Sequence, residues 1–390
     1  MRFGYDLGST GNNPLTTTGP HFSLDDDGHG SPLYASLDTL WATGALDGKI
    51  EAQILVVGSY AYVVTRGGTF YKLDADTGAI VDTYAIGSPS SCTPHIVSGV
   101  AYFGCDGGVF HAVDVSTMTA VWTQSDSGDP CICHAVVVAG SSRVWYGTTG
   151  GKLIARATSN GALVHSDSFS IGVTTPQGPL AYYSTGGLIL IPTSSGVQGY
   201  EESTGDLAQI FASRALAHGA AWQAADWGQD VLCFVAEDHF GYAYDLATGD
   251  RIWHDFQTGD LQSPVGMDIA TGGSGLVAIG TRNYSIQPHQ GDGGRMQWKH
   301  DSFVQSSAIV AGFAICNGIL GYVYPSTNGR LELIKLDGPP GGHGPDWKFG
   351  TSTGVQGGTS SANKGRICCP TFIRGRVYWG ADDKIARCFE

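Results

Sequence analysis

The sequence predicts an all-β chain built as an eight-bladed β-propeller of four-stranded antiparallel blades, closed by the N-terminal strand joining the C-terminal blade. Three observations carry this expectation. Glycine is in excess, with 58 of 390 residues, scattered among Val, Ile, Tyr and Trp as tight turns between short strands require. One unit recurs about every 40–46 residues, the period of a four-stranded blade. The last unit is one strand short, and a matching strand stands near the other terminus. The expected organisation is a leader over residues 1–37 and a single propeller over 38–390.

The clearest copy of the unit is Asp245-Leu246-Ala247-Thr248-Gly249-Asp250-Arg251-Ile252-Trp253. An apolar strand leads to Asp, then to Thr-Gly, then to Trp four residues after the Gly. Asp74–Gly78, Asp114–Thr117 running to Trp122, and Glu201–Gly205 are related copies, whereas Asn160-Gly161 and Gly293-Gly294 before Trp298 are weaker ones. Thr-Gly closes a turn whose last position prefers positive φ. The Asp carboxylate can accept hydrogen bonds from amides inside that turn, and the Trp is expected to pack between neighbouring blades. Trp stands at this position at 122, 253, 298 and 347, but Asp82, His165 and Gln209 replace it elsewhere.

Second strands are expected to start near Tyr60, Val100, Arg143, Leu188, Val231, Leu276, Ile319 and Val377, which gives eight blades. After Lys384–Phe389 the chain stops without a fourth strand. Leu40-Trp41-Ala42-Thr43 is expected to supply it, and such closure leaves no sheet edge exposed at the seam.

A formal net charge of −14 with only 21 Lys and Arg argues against nucleic acid, because phosphate binding needs clustered cations. No apolar run is long enough for a membrane-spanning helix. Residues 1–20 lack the basic and apolar regions of a signal peptide, so a secreted protein would be present here in a form without one. Few Lys residues among much Gly, Ser and Thr favour a secreted or periplasmic home. The nine cysteines leave an odd one if the others pair.

These units resemble the quinoprotein (PQQ-type) repeats over residues 38–390. Phe3–Pro14 is also similar to the leader that precedes the first blade in that family. The family holds PQQ-dependent alcohol dehydrogenases beside cofactor-free scaffolds, including an outer-membrane assembly lipoprotein, so the resemblance implies the fold more sharply than the activity. Cys368-Cys369 followed by Arg374-Gly375 resembles the vicinal-cysteine segment of the dehydrogenases. That likeness implies a strained disulfide ring lying against PQQ, with Arg374 touching the cofactor and calcium beside it. The same stretch also fits an ordinary blade opening, as Cys92-Thr93-Pro94 does. The acidic base and calcium ligands of the dehydrogenases have no assignable counterparts, and no cofactor is expected. By repeat register Cys368 and Cys369 fall at the mouth of the ring in either reading.

Other groupings carry less. Cys92 and Cys105 fall opposite each other if the strands around Ser98-Gly99 pair as a hairpin, within reach of a disulfide or of two packed thiols. Cys131-Ile132-Cys133-His134 has one residue too few between its cysteines for c-type haem and no further ligands spaced for zinc. Asp25 and Asp27 sit in an acidic loop that partly resembles a calcium site but lacks its first Asp and closing Glu. No other metal site is expected.

Topology then selects candidates. In a propeller the start of each first strand shares a face with the loop between strands two and three. That face gathers Glu51, Gln53, Arg66, His134, Gln177, His218, Asp238, His239, Gln262, Arg282, Gln305 and Asp382, beside Asp106 and Glu237. The long Gly350–Arg366 connection enters on the same side as a candidate lid. Such a polar funnel is the default ligand-site expectation. The function expected is a non-catalytic binding or scaffold propeller that presents this face to a protein or glycan. The alternative is a PQQ- and calcium-dependent alcohol or sugar dehydrogenase, tested by dye reduction.

Overall fold

A computed structural model describes residues 17–18, 39–125, 128–131, 134–168, 180–214, 217–224, 230–256, 266–268, 276–280, 285–290, 300–301, 313–316, 319–324, 330–337, 348–356, 370–373 and 376–389. The described strands form eight antiparallel sheets. Each resembles a propeller blade, and they are numbered here along the chain. Sheet one comprises Leu55–Val57, Tyr60–Val64, Thr69–Asp74 and Ile80–Ala85; sheet two comprises His95–Val97, Val100–Gly104, Val109–Asp114 and Thr119–Ser125, with Thr17–Thr18 as a fifth strand beside His95–Val97. Sheets three, four and five repeat this plan from Val136, Ala181 and Ala217, and sheets six and seven from Gly266 and Phe313. Sheet eight joins Thr371–Ile373, Arg376–Gly380 and Ala386–Phe389 to Thr39–Ala42 from the N-terminal side.

Burial explains why each strand has its composition. In sheets one to three the second strand is buried at every position after its first, and the third strand is buried except at its two ends. Those strands are covered on both faces by neighbouring sheets, so they are largely apolar, with Lys72, His111 and Arg156 as the buried polar members of the third strands. The fourth strands meet water. In Thr119–Ser125 the one fully buried residue is Trp122, which is the alternation expected of a half-buried outer strand.

The seam forms as the sequence predicts. Thr39 pairs with Phe389, Trp41 with Cys388 and Ala42 with Arg387, with a bulge between Thr39 and Trp41. The Trp41 indole N–H then donates to the Ala75 carbonyl at 2.9 Å in sheet one. Arg376 of sheet eight pairs with Asp76 on the same turn.

The recurring turns also behave as expected. Asp74 Oδ1 accepts from the amides of Asp76 and Thr77 at 3.1 and 2.9 Å and from the Thr77 hydroxyl at 2.8 Å. The Thr77 hydroxyl is the largest influence holding this carboxyl below its usual range. Asp114 and Asp245 repeat the arrangement with Ser116 and Thr117 and with Ala247 and Thr248. The residue that would be Trp in one sheet lies over the turn glycine of the next. A methyl group placed on Gly78 would fall 2.5 Å from Trp41, on Gly161 2.7 Å from Trp122, on Gly205 2.3 Å from His165 and on Gly249 2.0 Å from Gln209. Gly78 also has a φ of +71°, so it meets two separate demands that a side chain would violate.

Candidate functional site: the mouth of the ring

In sheets one, two and three the loop between strands two and three is tied to the segment that enters the sheet. The amides of Arg66, Asp106 and Thr149 donate to the carbonyls of Lys49, Pro89 and Pro130 at 2.8, 2.9 and 2.9 Å. These bonds place the loop and the start of the first strand on one face, as topology requires. They also fix where the side chains on that face emerge.

Two polar systems result. The deeper one is a belt linking the sheet openings. The Gln53 side-chain amide donates to the Pro370 carbonyl of sheet eight at 3.3 Å, and the Gln53 backbone amide donates to Thr93 Oγ1 at 2.9 Å. The Thr93 amide donates to His134 Nδ1 at 2.6 Å, and the Leu180 amide to the His134 carbonyl at 3.2 Å. Thr371 Oγ1 donates to the Ile54 carbonyl at 2.6 Å. Sheets eight, one, two, three and four are thereby joined in sequence. Accepting at Nδ1 requires that nitrogen to be unprotonated, which places the neutral proton of His134 on Nε2.

The outer system is ionic and more exposed. Lys49 Nζ lies 3.0 Å from Asp382 of sheet eight. Arg66 places Nε 3.5 Å from Glu51 and Nη1 2.7 Å from Asp106 of sheet two. Charges of alternating sign therefore run across three sheets. Glu51 and Asp382 are the more deeply set, at 7% and 11% exposure, whereas Lys49, Arg66 and Asp106 stand at 28%, 27% and 30%. Lys49, Arg66 and Asp106 are thus the charges the row presents outward, with Arg66 already flanked by two carboxylates.

The sequence-predicted candidates separate along these lines. Glu51, Arg66 and Asp382 belong to the ionic row, and Gln53 and His134 to the belt. Asp238 is consumed locally: it accepts from the amides of Arg214 and Phe240 at 3.0 and 3.2 Å and from the Tyr242 hydroxyl. Burial, followed by this carboxylate, pushes the Tyr242 phenol upward. His239 stands beside it at a φ of +70°, its amide bonded to the Ala236 carbonyl. His218 lies on the inner strand of sheet five opposite Val235, just before a bulge. Gln177, Gln262, Arg282, Gln305, Cys368, Cys369 and Arg374 lie outside the described residues, as do Asp25, Asp27, Cys133, Trp298, Trp347 and most of the Gly350–Arg366 connection.

Cys92 and Cys105 require a correction. Both are buried thiols, and no disulfide joins them in this structure. The hairpin pairs Val97 with Val100, Ile96 with Ala101 and His95 with Tyr102, and there the ladder ends. The Cys92 thiol turns instead to the Cys131 carbonyl at 3.0 Å, while the Cys105 carbonyl accepts from the Cys131 amide at 3.1 Å. The opposition read from the sequence stops three residues short of the cysteines.

Sequence reasoning missed Lys49 and Thr93. Lys49 precedes the first strand by several residues, and Thr93 reads as one more polar residue of a blade opening. A signal was present for Thr93, which directly precedes the Pro of its opening. No one-dimensional pattern marks which neighbouring sheet a side chain will reach.

The geometry defines a class: a β-propeller whose repeats resemble those of the PQQ-type family. Residues 35–175 match the family described as outer membrane protein assembly factor BamB. Among solved structures the chain is similar to BamB from Moraxella catarrhalis, at 14% identity and a TM-score of 0.64 over 91% of this chain and 99% of that one. It is also similar to the computationally designed Ika8 protein, at 14% identity and a TM-score of 0.68 over 90% of this chain and 99% of that one. At such identity these structures show the fold alone. No curated protein matches the sequence. Among the described residues no helix is long and apolar enough to cross a membrane.

Proposed function

We propose that this chain is a non-catalytic scaffold whose eight sheets close as an eight-bladed ring and whose mouth face binds a protein partner. The observation that carries the reading is the ionic row of Asp382, Lys49, Glu51, Arg66 and Asp106. It spans three sheets, is anchored by backbone hydrogen bonds, and leaves Lys49, Arg66 and Asp106 partly exposed at the mouth. A fixed row of alternating charge favours a partner of complementary pattern and sets its register. The match over residues 35–175 to an outer membrane protein assembly factor supports a partner that is a protein and a place outside the cytoplasm. The scaffold works without PQQ or calcium, and glycan binding is the outcome the same test would separate from protein binding.

A photo-crosslinking residue at position 66 in the full chain, with Thr83 on an outer strand as the control site, tests this in the cells that make it. Protein adducts at 66 and not at 83, abolished when Asp106 and Glu51 are both exchanged for Lys, are expected. Dye reduction with alcohols or aldoses after loading with PQQ and calcium would overturn the reading. Equal adducts at both positions would also overturn it.

A further inference from the structure

Among the described residues one sheet has five strands. Thr17–Thr18 pairs antiparallel with His95–Val97, the first strand of sheet two, on the side away from Val100–Gly104. The first strand of a blade is the innermost one, and beyond its free side lies the central channel. The leader therefore contributes a strand on the channel side of the ring. The same pair of residues also approaches Leu55–Val57, the innermost strand of sheet one.

The register shows which groups this strand satisfies. Ser98 and Gly99 have φ of +51° and +79°, so the hairpin closes through a two-residue turn with both central residues left-handed. Val97 and Val100 flank that turn and exchange both of their hydrogen bonds. The antiparallel alternation then directs the amide and carbonyl of Ile96 away from sheet two and toward the channel. Thr18 stands opposite Ile96, and Thr17 opposite Val97. Thr18 is thus the residue whose N–H and C=O complete the edge, while those of Thr17 point the other way. The direction of the strand runs from the turn side of the ring toward the mouth.

We propose that the channel-facing edge of His95–Val97 is a strand-addition site for an extended peptide, and that the leader's own Thr17–Thr18 occupies it in cis. The chemistry of the occupant defines the ligand class. Pro14-Leu15-Thr16-Thr17-Thr18-Gly19-Pro20 is uncharged, rich in β-branched Thr and bounded by proline. Main-chain bonds supply the affinity in this mode of recognition, and the bounding prolines limit its length. An uncharged, Thr-rich extended segment of another protein would compete with the leader for the same edge. This inference concerns the channel and stands apart from the partner proposed for the ionic row.

Hydrogen exchange on the full chain, with a labelled peptide of residues 12–23 as probe, tests it. Thr18→Pro removes the donor opposite Ile96, whereas Thr17→Pro removes an N–H that points away from the edge. Thr18→Pro should raise exchange of the Ile96 amide at least about tenfold and leave that of Phe103, inside the sheet, unchanged. It should also bind the probe at least about tenfold more tightly than the unaltered chain, because a tethered competitor acts at roughly millimolar effective concentration. Thr17→Pro should do neither. Equal exchange at Ile96 in the unaltered chain and Thr18→Pro, or equal probe binding by both, would overturn the proposal. If Phe103 also loses protection the variant is damaged, and a photo-crosslinker at position 17 of the otherwise unaltered chain decides. Crosslinks to 55–57 or 95–97 support the site, and crosslinks confined to outer strands refute it.

Discussion

The boundary between sheets eight and one and the boundary between sheets one and two are built to the same plan and filled differently. At the first, Trp41 lies flat over Gly78, its indole N–H bonded to Ala75 and its ring 5.9 Å from that of Tyr378. At the second the Trp position holds Asp82, which is exposed. The turn it would have covered carries Met118 in place of Gly, buried to 4% exposure at a φ of +50°. Where no indole arrives from one side, a thioether grows from the other. Lys72 crosses this boundary to donate to the Val115 carbonyl at 2.8 Å, and Tyr84 Oη meets His111 Nδ1 at 3.1 Å. The space between two blades must be filled, but the repeat does not prescribe which sheet fills it.

Trp41→Ala should break the contrast most severely. The side chain is 6% exposed and holds the seam, so truncation is expected to cost about 3–5 kcal/mol. Urea unfolding would measure it, with loss of protection concentrated in Thr39–Ala42 and Ala386–Phe389. A change below about 1 kcal/mol would mean that the seam is held by its strand pairing alone.

The second boundary should be the acid-sensitive one. Burial lowers the His111 pKa to about 4 from an ordinary 6.5, and its Nε2 has no hydrogen-bond partner among the described residues. The unfolded chain therefore binds the proton more readily between those values. Stability is present in full above pH about 6.5 and is lost as pH falls toward 4, by an amount on the order of 3 kcal/mol. Unfolding free energies of the unaltered chain and of His111→Gln, measured across that window, should converge as pH falls. Parallel curves would show that another group governs the slope.

Gly78→Ala is expected to cost about 1–3 kcal/mol, since it combines a left-handed backbone with a methyl group driven against Trp41. The double variant with Trp41→Ala should cost less than the sum, because removing the indole relieves the clash and leaves only the backbone strain. Strict additivity would mean that the ring does not rest on the glycine. Asp82→Ala should have the smallest effect, within about 0.5 kcal/mol, as is usual for an exposed side chain, here one that accepts only a local bond from the Thr83 amide at 2.7 Å. A larger loss would identify a contact across the second boundary that the exposed position of Asp82 does not suggest.

The seam shows how far the sequence could be read. A unit short of one strand at the C-terminus, and a stray Trp at 41, sufficed to pair residues near 40 with those near 388. Strand pairing follows from counting, and the count was visible. The Asp-x-x-Thr-Gly turns were legible for the same reason, because their hydrogen bonds stay within four residues. The supposed Cys92–Cys105 opposition failed where the local rule ended. A ladder extrapolated from Ser98-Gly99 has no knowledge of the Cys131 carbonyl arriving from the next sheet.

By itself, then, the sequence determined the all-β class, the repeat period, the turn chemistry and the strand that closes the last sheet. Each of these rests on interactions between residues close in the chain or on a missing member of a repeat. Only the tertiary structure decided that Gln53 and His134 serve as staples between sheets, that Arg66 is held between Glu51 and Asp106, and that Thr17–Thr18 lies along the channel side of sheet two. Apart from the Arg66–Glu51 contact, those outcomes depend on groups brought together from about 40 to more than 300 residues apart, where chain proximity gives no guide and geometry alone assigns the partner.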